Sequence, residues 1–144
     1  MGEQEAEVMS STSDEKRIIA LLRSATKKLR LKQLDKLHDS RQVVFDKLRD
    51  VPNRMQKLTN RVRLLLDLVD DYWAGRYRKV RWYSLAVGVA ATLYFISPSD
   101  LIPDAIPGIG QLDDVLMMAI ALRLIRRDLR DYCEYKGLDP NDYF

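Results

Sequence analysis

The chain has 144 residues, a formal net charge of +3 and 31% charged residues. That length makes one domain, or one domain plus an N-terminal extension, enough to bury a core, and so small a net charge does not favour nucleic acid as a partner. Cys133 is the only cysteine, which excludes an intramolecular disulfide and removes any pointer to an oxidising compartment.

Residues 1–13 are acidic and rich in Ser and Thr, without the basic start and apolar run of a secretory signal peptide. They read as a disordered tail. A charged amphipathic helical region follows over 14–61. Ile18, Leu22, Ala25 and Leu29 are spaced to share one helix face, with a helix start near Asp14. The lysines and arginines around that face read first as a solvated cationic surface, and second as a contact for lipid headgroups or phosphates.

Val44, Leu48, Val51, Met55, Leu58, Val62, Leu65, Val69 and Tyr72 alternate in steps of four and three. That is a heptad seam, suited to helices packed side by side within the chain or across a homo-oligomer or helical protein partner. Leu34 and Leu37 share its phase, and Arg41 breaks it. Pro52 interrupts the seam, so two helices are expected to meet near Asp50-Val51-Pro52, with Pro52 in the first turn of the second. Gly75 is a predicted helix end.

The apolar part is set off sharply. From Trp82 to Leu122 there is no Lys or Arg. Arg76, Arg78, Lys79 and Arg81 precede this window beside Tyr72, Trp73, Tyr77, Trp82 and Tyr83. Arg123, Arg126, Arg127 and Arg130 follow it. Aromatic rings beside basic residues at the edge of an apolar run resemble a membrane-interface belt, and basic flanks are retained on the cytoplasmic side. Ordinary core aromatics at a helix junction are the plainer alternative. Residues 82–96 make a helix of about 22 Å, short against a hydrocarbon core of about 30 Å. The run from Val115 to Ile125 is shorter and contains Arg123. The pair is therefore expected to span a thinned bilayer, to enter one leaflet, or to form the core of a helical protein. Its lysine- and arginine-free character favours the lipid readings, with both ends cytoplasmic.

Between the two apolar runs lies a turn of prolines, glycines and aspartates. Ser97, Pro98 and Asp100 form a capping box. Pro103 and Pro107 stop a long helix, and Gly108 and Gly110 free the backbone. Asp113 caps the next helix and Asp114 favours its dipole. Asp100, Asp104, Asp113 and Asp114 are also candidate oxygen ligands for Mg²⁺ or Ca²⁺. Asp113 and Asp114 diverge by about 100° on a helix, however, and capping explains every aspartate except Asp104. No His or Lys accompanies these carboxylates as a second catalytic group. Neither a glycine-rich phosphate loop nor a Cys/His metal pattern occurs. No catalytic residue and no cofactor is assigned. Residues 136–144 read as a helix stop and a short loose tail, and no strand signal is present.

The run Leu93-Tyr94-Phe95-Ile96-Ser97-Pro98-Ser99-Asp100-Leu101-Ile102-Pro103-Asp104, with Ile106-Pro107-Gly108-Ile109-Gly110 and Asp113-Asp114, resembles the signature of the YkvA-like family, a bacterial domain of unknown function. Ser99 stands where many members carry an apolar residue. The resemblance covers roughly 62–135. It implies an α-helical hairpin domain often predicted to be membrane-embedded, with no known activity or ligand. The expectation is thus an all-α protein: amphipathic N-terminal helices, then an apolar helical hairpin joined by a Pro/Gly/Asp turn. Its function is expected to be that of a bacterial membrane-associated accessory or interaction protein, at the inner membrane or its cytoplasmic face, with the lipid bilayer as partner. A soluble all-helical interaction module in the cytoplasm is one alternative. A metal-binding or metal-dependent hydrolytic protein using the aspartate turn is another.

Overall fold

The computed structural model describes residues 12–96 and 114–144. Ser97 to Asp113, the proposed capping box and the candidate ligands Asp100, Asp104 and Asp113 lie outside the described residues, as does the tail before Thr12. The described chain is all-α, in seven α-helices: α1 (Thr12–Lys28), α2 (Leu31–Asp39), α3 (Arg41–Leu48), α4 (Gln56–Trp73), α5 (Trp82–Ile96), α6 (Asp114–Leu124) and α7 (Arg126–Tyr135). Short 3-10 turns cover Asn53–Met55 and Pro140–Asp142. No strand occurs among the described residues.

The amphipathic face of α1 is buried at Ile18, Leu22, Ala25 and Leu29. α1 then stops at Lys28, without proline or glycine. Arg30 closes it by donating Nη1 to the carbonyls of Lys27 and Leu29 at 3.1 and 2.9 Å. The Arg30 amide donates to Gln33 Oε1 at 2.7 Å, which starts α2. The expected junction near Pro52 is present: α3 ends at Leu48 and α4 begins at Gln56. Pro52 lies just outside the helix, its carbonyl accepting from the Met55 amide at 2.9 Å. Gly75 adopts φ +80° just past α4, a left-handed conformation that glycine takes without steric cost.

The seam residues Val44, Leu48, Met55, Leu58, Val62, Leu65 and Val69 are buried, with Val51 and Tyr72 half-buried. They do not form one long coiled-coil stripe. They are divided among α3, a 3-10 turn and α4. α4 also buries Leu64, Leu66 and Leu68, so its apolar face is wider than a heptad stripe. It packs within the chain, against α2, α5, α6 and α7.

α5 is the centre of the bundle. Every residue from Ser84 to Phe95 is buried. A helix apolar on all sides needs cover on all sides, and α5 touches α1, α2, α3, α4 and α6. The buried Thr92 hydroxyl is satisfied within the helix, donating to the Gly88 carbonyl at 2.8 Å. Gly88 is where neighbours come nearest. A Cβ there would meet Leu65 Cδ1 at 2.7 Å and Ile125 Cδ1 at 3.2 Å. At the far end of α5, Lys47 donates to the Phe95 carbonyl and lies 4.7 Å from the Phe95 ring centre. α6 buries Leu116 to Leu122 against α5, α1 and α4. Among the described residues, no helix is long and apolar enough to cross a membrane.

The C-terminal segment differs from the loose tail expected. Gly137, at φ +72°, ends α7. Asp139 accepts from the Asn141 amide at 3.0 Å, and Asn60 Nδ2 donates to the Asp142 carbonyl at 2.9 Å. Arg126 and Arg130 lie over the Phe144 ring at 5.4 and 5.9 Å. Aromatic residues at the end of a polar stretch give this segment apolar area to bury, and cations from α7 cover it. Cys133 is buried beneath it, its Sγ 3.6 Å from the Leu138 carbonyl.

Candidate functional site

The two basic flanks of the apolar window, more than forty positions apart in sequence, meet at one end of the bundle. Arg81, which precedes α5, donates Nε to Asp128 Oδ2 of α7 at 3.0 Å. Tyr77 packs on Tyr132 and Tyr135 with ring centres 5.0 and 4.7 Å apart. The loop between α4 and α5 is thereby clamped to α7.

Asp71 organises this end. Its carbonyl accepts from the amides of Arg76 and Tyr77 at 2.8 and 3.2 Å, which shapes the loop. Its carboxylate accepts from Arg76 Nε at 2.8 Å and from the Tyr132 hydroxyl, and Lys136 Nζ stands 3.7 Å away. Burial opposes the charge of Asp71. The bonds from Tyr132 and Arg76 and the charges of Lys136 and Arg76 outweigh it, holding the carboxyl below the ordinary aspartate value. Tyr132 responds in the opposite sense. Burial first, then its bond to the Asp71 carboxylate, push the phenol far above the usual tyrosine value. Burial, with Asp131 and Asp128 nearby, also raises Tyr77.

Outside this buried network the flank residues face water. Trp73, Trp82 and Tyr83 are 43%, 41% and 40% exposed, large values for such side chains. Tyr72 joins them, its ring centre 6.5 Å from that of Trp82, with the Arg78 guanidinium 4.6 Å above it. The aromatic group read from the sequence as a single belt is therefore divided. Tyr77 is core, Tyr72 is half-buried, and the other three are exposed. On the α7 side, a shallow groove is lined by Arg123, Leu124, Arg126, Arg127, Arg130, Asp131 and Glu134. Asp131 and Glu134 also border a second groove with Tyr77, Lys79 and Tyr135. The flanks thus adjoin across two carboxylates. Arg123 is drawn off this group by Glu15 of α1, with which it forms an ion pair.

This arrangement offers cations, aromatic rings and carboxylates on a surface. Among the described residues, no group of three His, Cys, Asp or Glu side chains is placed to hold a metal ion. Asp114 opens α6, and the remaining candidate ligands lie outside the described residues. The Asp71–Tyr132 bond and the Arg81–Asp128 pair escaped sequence reasoning. Neither has a spacing pattern, and only folding joins residues 61 and 47 positions apart.

A family model described as "Protein of unknown function (DUF1232)" matches residues 84–120, that is α5, the segment after it and the first part of α6. Over 81 residues the chain is 28% identical to the "Uncharacterized membrane protein YkvA" of Bacillus subtilis (strain 168), covering 56% of this chain and 76% of that protein. No solved structure matches. Within the matched segment, α5 and the first part of α6 are the apolar helices buried in the bundle, and the chain is similar to the YkvA-like family over this region.

Proposed function

We propose that this chain is a membrane-associated accessory protein that works by binding rather than by catalysis. The observation that carries this reading is the meeting of both basic flanks and the exposed aromatic residues at one end of the bundle, the end at which the apolar pair begins. Lys and Arg with Trp and Tyr are the side chains that suit the headgroup region of a bilayer. The name of the Bacillus relative, a membrane protein, supports the same reading. We place the protein at the cytoplasmic face of a bacterial inner membrane, with both basic flanks on that side.

A second reading has one observation in its favour. The burial of α5 beneath five other helices suits a protein-interaction module whose apolar pair is simply its core. Separation of native protein between membrane and cytosol, followed by a carbonate wash, distinguishes the two. Membrane association predicts recovery with the membrane before the wash. Complete recovery in the cytosol at low salt supports the interaction module instead.

A further inference from the structure

We infer that the patch of Trp73, Trp82, Tyr83, Arg78 and Lys79 is the surface that docks on an anionic lipid bilayer, with the apolar α5–α6 pair kept inside the bundle. The inference deepens the membrane reading above and rests on it.

Large exposed apolar side chains are normally scattered singly. Here Trp73 closes α4 and Trp82 and Tyr83 open α5, so all three exposed side chains flank one junction, and both tryptophans of the chain are among them. Arg76 and Arg81 of the same loop are ion-paired, with Asp71 and Asp128. Arg78 and Lys79 are exposed and form no ion pair among the described residues. The patch therefore pairs amphipathic rings with two outward cations, the combination that settles at headgroup depth. Each such cation contributes attraction to an anionic surface that falls off within a Debye length. The buried state of α5 gives the mode of contact. Its apolar surface is already covered by protein, so docking does not require the bundle to open. Single-stranded nucleic acid also stacks on aromatic rings beside cations. The net charge of only +3 does not favour a nucleic-acid partner, whereas Trp and Tyr beside Lys and Arg suit the headgroup region of a bilayer.

The test uses the full chain with vesicles of phosphatidylcholine alone or mixed with phosphatidylglycerol. Both tryptophans lie in the patch, so their emission reports it directly. Binding to the anionic vesicles should shift that emission to the blue, brominated lipid should quench it, and high salt should reverse both. Arg78→Gln with Lys79→Gln should weaken binding roughly 25-fold, at about 5-fold per neutralised charge. Trp73→Ala with Tyr83→Ala should weaken it as well, with circular dichroism unchanged. Binding that leaves the emission unmoved, or that both double variants retain in full, overturns this surface while the membrane reading stands. Carbonate-resistant binding, equal on neutral vesicles, means that the apolar pair enters lipid and overturns the docking mode alone. Preference for a single-stranded oligonucleotide over anionic vesicles overturns the choice of partner. Wild-type protein that binds neither vesicle type nor cell membranes removes the membrane reading itself.

Discussion

Arg81 and Asp128 lie 3.0 Å apart, nitrogen to oxygen, and close the end of the bundle at which the apolar pair begins. The two are unequal partners, because the Arg81 side chain is 61% exposed and that of Asp128 only 9%. Removing the arginine leaves a carboxylate with little water to replace it. Arg81→Met should therefore cost about 1–3 kcal/mol, more than an exposed ion pair normally contributes. Asp128 keeps its place in the first turn of α7, where the helix dipole favours it. Urea unfolding of the variant is the measurement, and a cost below a few tenths of a kcal/mol would show the pair to be dispensable.

The Asp71–Tyr132 bond gives stability a pH dependence on both sides. The folded carboxyl of Asp71 is lowered. Its contribution is present above the unfolded value of about 4 and is lost as pH falls through the folded value. The folded phenol of Tyr132 is raised. Its contribution is full below the unfolded value of about 10 and is lost as pH rises further, because the unfolded chain ionises first. Asp71→Asn should flatten the acid limb of a stability profile. Tyr132→Phe should flatten part of the alkaline limb. Tyr77 and Tyr143 are raised in the same sense and leave the rest. The Phe variant should also lose about 1.5–3 kcal/mol near neutrality, the range for a hydrogen bond to a charged group.

Gly88 and Leu65 form a testable pair. Gly88→Val should overpack the centre of the bundle by about 1–3 kcal/mol. Leu65→Ala should cost about 2–5 kcal/mol by leaving a cavity. Together they should cost less than the sum, because the added methyl groups occupy space that Leu65 vacates. Ile125, whose Cδ1 would stand 3.2 Å from a Cβ at position 88, limits the recovery. A double-mutant cycle by chemical unfolding measures the coupling. Strict additivity would mean that the contact relaxes without cost.

For the aspartate turn the expectation remains structural. Asp100→Asn and Asp113→Asn should be mild, since Asn also caps, and Ala at either position should cost about 0.5–2 kcal/mol. A metal site predicts instead that Mg²⁺ or Ca²⁺ raises the melting temperature of the wild type and that Asp104→Asn abolishes the rise. Thermal melts with and without chelator separate the two.

The sequence made local structure readable wherever a spacing or a special residue carried it. The face of α1 follows from Ile18, Leu22, Ala25 and Leu29, the α3–α4 junction from Pro52, and the end of α4 from Gly75. The end of α1 was hidden because Arg30 makes it with side-chain bonds, and no proline or glycine marks it. The cover over α5 was hidden for a different reason. An apolar run records that it avoids water, and lipid and protein satisfy it equally. The exposed patch was half legible: the aromatic and basic residues were evident, but their division into Tyr77 inside and Trp73, Trp82 and Tyr83 outside depends on packing against α7 and α2.

Cys133 has a consequence for how opening of this fold is observed. Burial, and then the negative charges of Asp139 and Glu134, raise its thiol, so little thiolate is present near neutrality. The sulfur is fully enclosed beneath the C-terminal segment. An alkylating reagent therefore reaches it only when Leu138 and the residues after it detach or α7 unfolds. The rate of that modification is a clock for fraying at the C-terminal end, built into the native chain and read without any substitution.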